Sequence, residues 1–359
     1  MNDASATSRC VGGSSFIARR SSFQHATIRR RMLIDTITNP SELEKIAPAW
    51  YDLWRRDRSA TPFQSPGWLL PWWRHFGSDG LSCFALRDGE KLQALLPLYI
   101  LRDEESEESL GMLLGTGISD YLDALATPSV SIAPLLEAAA GADCQMWDLQ
   151  QLRPSSPLLT TPLPDGASDN VEKQEPCPVM SLENPGEELS NLISPHFRKK
   201  LRYYRRSLAR LGTVTVESPS SESDLDPMLQ ALYELHAARW QRRGLPGVLA
   251  DDNTRQFHGQ VARAMLADNS LRLYATRLGD RIVAVFYGFA HHGTVYYYLS
   301  GYDPELEKLS IGTLIVAHAI EDAICKGDTS FDFLRGAEEY KYVWGAKDRL
   351  NRRRQIFRA

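Results

Sequence analysis

Residues 296–327 read YYYLSGYDPELEKLSIGTLIVAHAIEDAICKG, and residues 330–345 read SFDFLRGAEEYKYVWG. An aromatic strand passes through a loop into a helix that opens at Ser310-Ile311-Gly312-Thr313 and ends at Lys326-Gly327, and SFDFLRG follows as a second strand. Small residues in the first turn of a helix leave free amides at its positive dipole end, which is what a pyrophosphate needs. An ordinary loop-to-helix connection with a small N-cap has the same spacing, so both readings stand at this point.

Upstream, LRLYATRL, the turn Gly279-Asp280, RIVAVFYGFAHH and TVYYYLSGYD predict a three-stranded meander. Three helices precede it. Ser194-Pro195 starts the first, which presents Phe197, Leu201, Tyr204, Leu208 and Leu211 on one face up to Gly212. The second runs over 223–243 with Leu225, Leu229, Leu232, His236 and Trp240 on one face, and the third over 254–267. His291-His292 falls at a hairpin end, where exposed turn residues are expected.

The first half repeats the order. Ser41 is read as an N-cap with Glu44 at capping-box spacing, ahead of a stripe of Leu43, Ile46, Trp50 and Trp54. A second short helix carries Trp68, Leu69, Trp72 and Phe76, and these tryptophans are expected in the core. LSCFALR and KLQALLPLYI form a hairpin about Asp88-Gly89, followed by a strand at Ser109 to Leu114, the turn-rich GTGISDY, a helix from Ser131 to Ala140 and the strand CQMWDLQ. Both halves close on an aromatic-Asp strand, Trp147-Asp148-Leu149 and Phe331-Asp332-Phe333, so a duplicated unit is the economical reading. The Pro- and Ser-rich stretch from Arg153 to Pro185 reads as a linker with one short strand at Val179 to Leu182. The fold class is α/β (α+β), in two tandem domains, each with a mixed, mainly antiparallel central sheet flanked by helices.

Composition excludes several classes. A chain of 359 residues, 43 % hydrophobic and 24 % charged, suits two globular domains, and a net charge of -4 gives no general pull toward DNA or anionic membrane. Cys10, Cys83, Cys144, Cys177 and Cys325 are scattered without metal-ligand spacing, so no metal is expected and a reducing, cytoplasmic location fits. The longest apolar stretch, Leu92 to Leu101, holds Gln93 and Pro97 and is too short for membrane insertion. Residues 1–31 are rich in Ser and Arg with Asp3 as their one acid, and are expected to be a disordered tail or a start placed ahead of Met32. GMLLGTG lacks the Lys-Ser/Thr of a nucleotide-binding P-loop, and neither GxSxG nor HExxH occurs. The basic run Arg198, Lys199, Lys200, Arg202, Arg205, Arg206 and Arg210 reads either as a solvated helix face or as an anion clamp.

Several segments carry a resemblance in their order and spacing: TPFQSPGWLLPWW, the lone LPL, LGTGISDYLD, FRKKLRYYRRSLARLG, LHAARWQRRG, GYDPELEKLSIGTLIVAHAIEDAICKG and FDFLRGAEEYKYVWG. Over Met32 to Trp344 the chain resembles the GNAT superfamily, specifically the tandem-GNAT, CelD-like proteins of cellulose and exopolysaccharide biosynthesis, related to the FemABX peptidyltransferases. The resemblance implies an N-terminal GNAT-like domain over 32–184 and a C-terminal acyltransferase domain over 185–359. Acetyl-CoA or another acyl-CoA would bind at Leu299, Ser300, Ser310, Ile311, Gly312 and Thr313. The acceptor, a small-molecule or sugar amine, would lie in an interdomain cleft lined by Asp120 and Tyr121, with Arg239, Trp240 and Arg335. One departure stands out: the Q/R-x-x-G-x-G/A loop of GNAT enzymes is reduced here to Lys308 through Thr313.

For catalysis, Asp332 is costly to bury unpaired and is the candidate base or orienting group, with Arg335 or Lys341 as partner. Tyr340 lies where GNAT-like proteins often put a proton-donating Tyr. Lys341 resembles the Lys before Trp-Gly in Fem-type proteins, and Glu338 completes the set. The expected function is acyl-CoA-dependent N-acyl transfer with exopolysaccharide machinery as a partner. The alternatives are aminoacyl transfer from tRNA or a catalytically silent binding module.

Overall fold

The computed structural model describes residues 32–102, 108–182 and 188–358. Both expectations for residues 1–31, and the boundary at 184/185, lie outside the described residues.

The first half opens with β1 (Leu33–Ile37), α1 (Pro40–Lys45), α2 (Ala47–Arg56) and α3 (Pro66–Phe76). The N-cap of α1 is Asn39, not Ser41: its Oδ1 accepts from the Ser41 amide at 2.9 Å, and Pro40 takes the first helical position. Glu44 forms no capping box; it pairs with Arg74 at 2.7 Å. Trp50, Trp54 and Trp68 are buried as expected, and each indole N–H donates to a named oxygen, on Gln64, Thr61 and Ser119 respectively.

Next come β2 (Cys83–Asp88), β3 (Lys91–Leu96), β4 (Leu98–Arg102), β5 (Ser109–Leu113), β6 (Leu125–Ala126), α4 (Ala133–Ala140), β7 (Met146–Leu152) and α5 (Pro157–Thr160). The single strand expected over KLQALLPLYI is two. Pro97, which has no N–H to donate, separates β3 in a four-stranded sheet (β1-β2-β3-β6) from β4 in a second sheet. The expected linker contains β8 (Ser168–Ser181), a 14-residue strand. Pro176 and Pro178 sit inside it because their carbonyls still accept, from the Gly336 and Phe333 amides at 2.9 Å each.

The second half runs through α6 (Leu189–Leu192), α7 (Pro195–Ala209), β9 (Val214–Glu217), α8 (Glu222–Gln241), α9 (Asp252–Ala267), β10 (Leu271–Leu278), β11 (Arg281–His291), β12 (Thr294–Tyr302), α10 (Ile311–Cys325), β13 (Ser330–Asp332), α11 (Glu339–Tyr342) and β14 (Lys347–Phe357). Ten strands form the larger sheet in the order β4-β5-β7-β14-β8-β13-β12-β11-β10-β9.

Its pairings carry the duplication. β5 pairs with β7, and β12 with β13, in parallel, while the other neighbours are antiparallel. The last strands are exchanged: β14, the end of the second half, lies against β7 of the first, and β8 of the first lies against β13 of the second. A single aromatic core including Trp50, Phe63, Trp68, Tyr121, Phe257, Tyr287 and Phe289 is drawn from both halves. His291 is not an exposed turn residue: its ring stacks on Trp54 at 3.8 Å and 7°, and burial pushes it down to about 3, so it is neutral.

Candidate functional site

β12 and β13 are in register only from Thr294/Ser330 to Tyr296/Asp332, and beyond that they part. Opposite β11, Tyr287 pairs with Leu299 and Gly288 with Tyr297, leaving Tyr298 as an extra residue in β12. This bulge resets the face on which later side chains fall. Tyr297, Ser300 and Tyr302 consequently share one side and line a pocket of 330 Å³, whereas Leu299 packs into the aromatic core on the other. Leu299, expected at the cofactor, is therefore turned away from the pocket.

The N-terminus of α10 opens into the same pocket through Ser310, Ile311, Gly312 and Thr313. Ser310 holds a left-handed conformation, φ 51° and ψ 44°, at the junction of a short 3-10 turn (Pro304–Leu309) with α10, a strained backbone of the kind that concentrates at functional sites. The amides of Thr313 and Leu314 are spent on the Ser310 carbonyl, which leaves those of Ile311 and Gly312 at the free end of the helix. A Cβ on Gly312 would lie 2.8 Å from the Tyr302 ring, so glycine lets that ring close over the helix end.

Arg239, near the end of α8, lines the pocket, with its guanidinium carbon 4.9 Å from the centre of the Tyr302 ring. Its Nε is buried without a partner. Trp240 does not line the pocket; its indole N–H donates to Nε2 of His236 at 2.9 Å, and that imidazole is held neutral, at about 4, by burial and by Arg239.

Tyr340 lines the pocket from α11. Beside it stands Tyr297, whose hydroxyl lies 2.5 Å from Ser300 Oγ. Burial of the phenol, with the Tyr297 hydroxyl and Glu338 beside it, pushes Tyr340 up, and it is protonated at neutral pH although the residue as a whole is 43 % exposed. Trp344 and Phe197, in edge contact at 4.8 Å, close the pocket behind it.

The other expected residues are elsewhere. Asp332 is fully buried and does not line that pocket. Its partners are neither Arg335 nor Lys341: Tyr121 donates to it at 2.8 Å, Arg349 of β14 pairs with it at 3.3 Å, and the Leu334 amide donates at 2.9 Å. Desolvation raises its carboxyl to about 6 against the pull of Arg349. Tyr121, with no exposed surface, cannot line an open cleft, and Asp120 is committed to Arg335 at 2.8 Å. Lys341 is 3 % exposed and saturated: it donates to the carbonyls of Leu334, Arg335 and Gly336 and pairs with Glu338 at 2.9 Å. An ammonium so engaged has no donor left for a phosphate or an oxyanion.

The pairing of Asp332 with β14 has a counterpart. Asp148, 2 % exposed on β7, pairs with Arg353 at 2.5 Å, so each half's aromatic-Asp strand takes its arginine from the same terminal strand. Sequence reasoning missed Tyr297, Tyr302, Phe197 and Arg349. The alternating tyrosines of YYYLSGY were a signal for the first two, whereas Arg349 becomes legible only once β14 is known to cross between the halves.

Residues 195–342 match the family model of the acetyltransferase (GNAT) domain. The match spans the segment from α7 to α11, which is similar to a GNAT domain. Among solved structures the chain is similar to FemX (TM-score 0.62, 11 % identity, 90 % of this chain and 96 % of that one). It is similar also to the C-terminal domain (DUF2156) of a putative lysylphosphatidylglycerol synthetase from Agrobacterium fabrum (0.54, 13 %, 89 % and 92 %). A conserved protein of unknown function from Bacteroides thetaiotaomicron gives 0.55 at 12 % identity, over 91 % and all of its length. At these identities the likeness is one of fold. No curated protein matches the sequence. Among the described residues no helix is long and apolar enough to cross a membrane.

Proposed function

We propose that the protein is an acyl-CoA-dependent N-acyltransferase whose site lies in residues 185–359, with 32–184 as a supporting GNAT-like half. The observation that carries this reading is the convergence of the α10 N-terminus, Arg239 and the side chains of Tyr340, Tyr297 and Ser300 on one pocket where β12 and β13 part. The free amides of Ile311 and Gly312 and the cation of Arg239 fit a diphosphate. Arg239 adds a positive charge from α8.

Bound acyl-CoA supplies the thioester carbonyl. Tyr340, protonated and at the pocket wall, holds the proton that the departing thiolate takes as the C–N bond forms and the C–S bond breaks; the attacking amine must be neutral and gives up its own proton to water. Water reaches the exposed edge of Tyr340 and returns the proton to its phenol. Asp332, sealed between Tyr121 and Arg349, acts as an orienting group that holds β13 to β14. The acceptor is an amine on a small molecule or sugar precursor, and a cytoplasmic place in exopolysaccharide or cellulose synthesis accords with the sequence resemblance.

A second reading, aminoacyl transfer from tRNA as in Fem-type proteins, is supported by the exposed Lys199, Lys200, Arg206 and Arg210 on α7, whose Phe197 borders the pocket. It predicts tRNA binding with a steep salt dependence.

Arg239→Ala tests the first reading. It is expected to weaken CoA binding by about ten-fold, the worth of a charge-assisted hydrogen bond, and to leave pantetheine, which lacks the diphosphate, unchanged. Equal weakening of both ligands would assign Arg239 to wall packing.

A further inference from the structure

A larger cavity, of 910 Å³, lies away from that pocket, between α6, α7 and the C-terminal half of α10. Its composition is unusual in one respect. Arg198, Arg202 and Arg205 recur along α7 at i, i+4 and i+7, so three guanidiniums edge one groove. Leu189, Ile193, Leu201 and Ile324 supply its apolar lining.

The charges are not balanced internally. α7 contains no acidic residue. Arg205 is fixed by both carboxylate oxygens of Glu321, at 2.7 Å each, which also neutralises that acid. Glu188 is the other acid of the groove, exposed at its edge. Arg198 and Arg202 have no carboxylate partner among the described residues, and Nε of Arg198 is buried with no acceptor. Like charges four residues apart on a helix repel, and an unsatisfied buried donor is costly. Arg202 and Arg205 are exposed along the groove, whereas Arg198 is half-buried. An anion placed in the groove would relieve both the repulsion and the unsatisfied donor.

We infer that this groove is a second ligand site, and that it takes an amphipathic oxyanion: a phosphate-type head on Arg198 and Arg202, with an apolar chain along Leu189, Ile193 and Ile324. The planar guanidinium fork matches the oxygens of such a head, and the apolar lining distinguishes the ligand from inorganic phosphate. The site is separate from the donor pocket. Ser310 to Val316 line that pocket and Glu321 to Gly327 line this groove, and at about 1.5 Å per residue Gly312 and Ile324 are about 18 Å apart along α10. The inference does not rest on the acyl-CoA reading.

The test is titration of the full-length protein with octyl phosphate below its micellar concentration and with inorganic phosphate, in the presence and absence of CoA. Octyl phosphate is expected to bind once per chain, at least ten-fold tighter than inorganic phosphate and undisplaced by CoA. Arg198→Ala/Arg202→Ala should lose at least ten-fold of that affinity, and Cys325→Trp, a change at an exposed position on the groove, should block it with the melting temperature kept. Equal affinity for the two phosphates, displacement by CoA, or binding untouched by both variants would overturn the proposal. Flotation with vesicles of phosphatidylglycerol, compared between the wild type and the double variant, tells a membrane-borne head from a free one. tRNA that competes octyl phosphate away and binds through the same two arginines would replace the small amphiphile with a polyanion and would also overturn it.

Discussion

Tyr340→Phe is expected to lower the turnover number by about a hundred-fold, the usual scale for losing a positioned proton donor, while the affinity for CoA stays within two-fold. The phenol borders the pocket and is held in its protonated form beside the hydrogen-bonded Tyr297–Ser300 pair, so removing its oxygen removes the proton that the thiolate takes. Thiol release from acetyl-CoA with glucosamine as the amine probe gives the rate, and calorimetry gives the affinity. Because burial raises rather than lowers this phenol, the rate should show no loss of the acid form between pH 6 and pH 9. A variant that turns over within two-fold of the wild type would remove Tyr340 from the chemistry.

The second large effect concerns stability. Asp332 has a folded-state pKa of about 6 against an ordinary 3.8, with desolvation as the main cause and Arg349 opposing it. Its folded form therefore holds the proton more tightly than its unfolded form. Between about pH 4 and pH 6 the native state binds more protons, so stability falls as pH rises through that window, and above it the full cost, roughly 3 kcal/mol, is present. Asp332→Asn keeps hydrogen-bonding capacity toward Tyr121 and the Leu334 amide but cannot ionise. The difference in unfolding free energy between variant and wild type should move in the variant's favour by roughly 3 kcal/mol from pH 4 to pH 7. Asp123, buried and raised by desolvation to about 7, contributes a slope of the same sign in both proteins and cancels. Urea unfolding at four pH values measures this; parallel profiles would contradict the assignment.

These predictions rest on contacts that the sequence discloses unevenly. Helices α7, α8 and α9 and the β10–β12 meander were legible because each carries its own signal: Ser194-Pro195 at a start, Gly244 at an end, Gly279-Asp280 at a turn. The two aromatic-Asp strands were legible as a repeat. What local pattern cannot carry is a strand's partner. β8 was hidden by Pro176 and Pro178, whose missing N–H groups argue against a strand although their carbonyls serve one. The exchange of β8 and β14 depends on pairings across more than 150 residues, and with it went the true partner of Asp332. Of the expected site residues, the Ser310–Thr313 turn, Ser300, Arg239 and Tyr340 line one pocket. Lys341 and Leu299 fell out for opposite reasons: a ring of three carbonyls consumes the lysine, and one bulge at Tyr298 turns the leucine to the far face.

The central claim is that the pocket at the head of α10 binds an acyl-CoA. Calorimetric titration of the wild type and of Gly312→Trp with CoA and acetyl-CoA tests it most directly, because any side chain at 312 must displace Tyr302 and fill the helix end. The account predicts micromolar binding of one CoA per chain to the wild type and none to the variant. No binding to the wild type, or binding that survives the tryptophan, would contradict it.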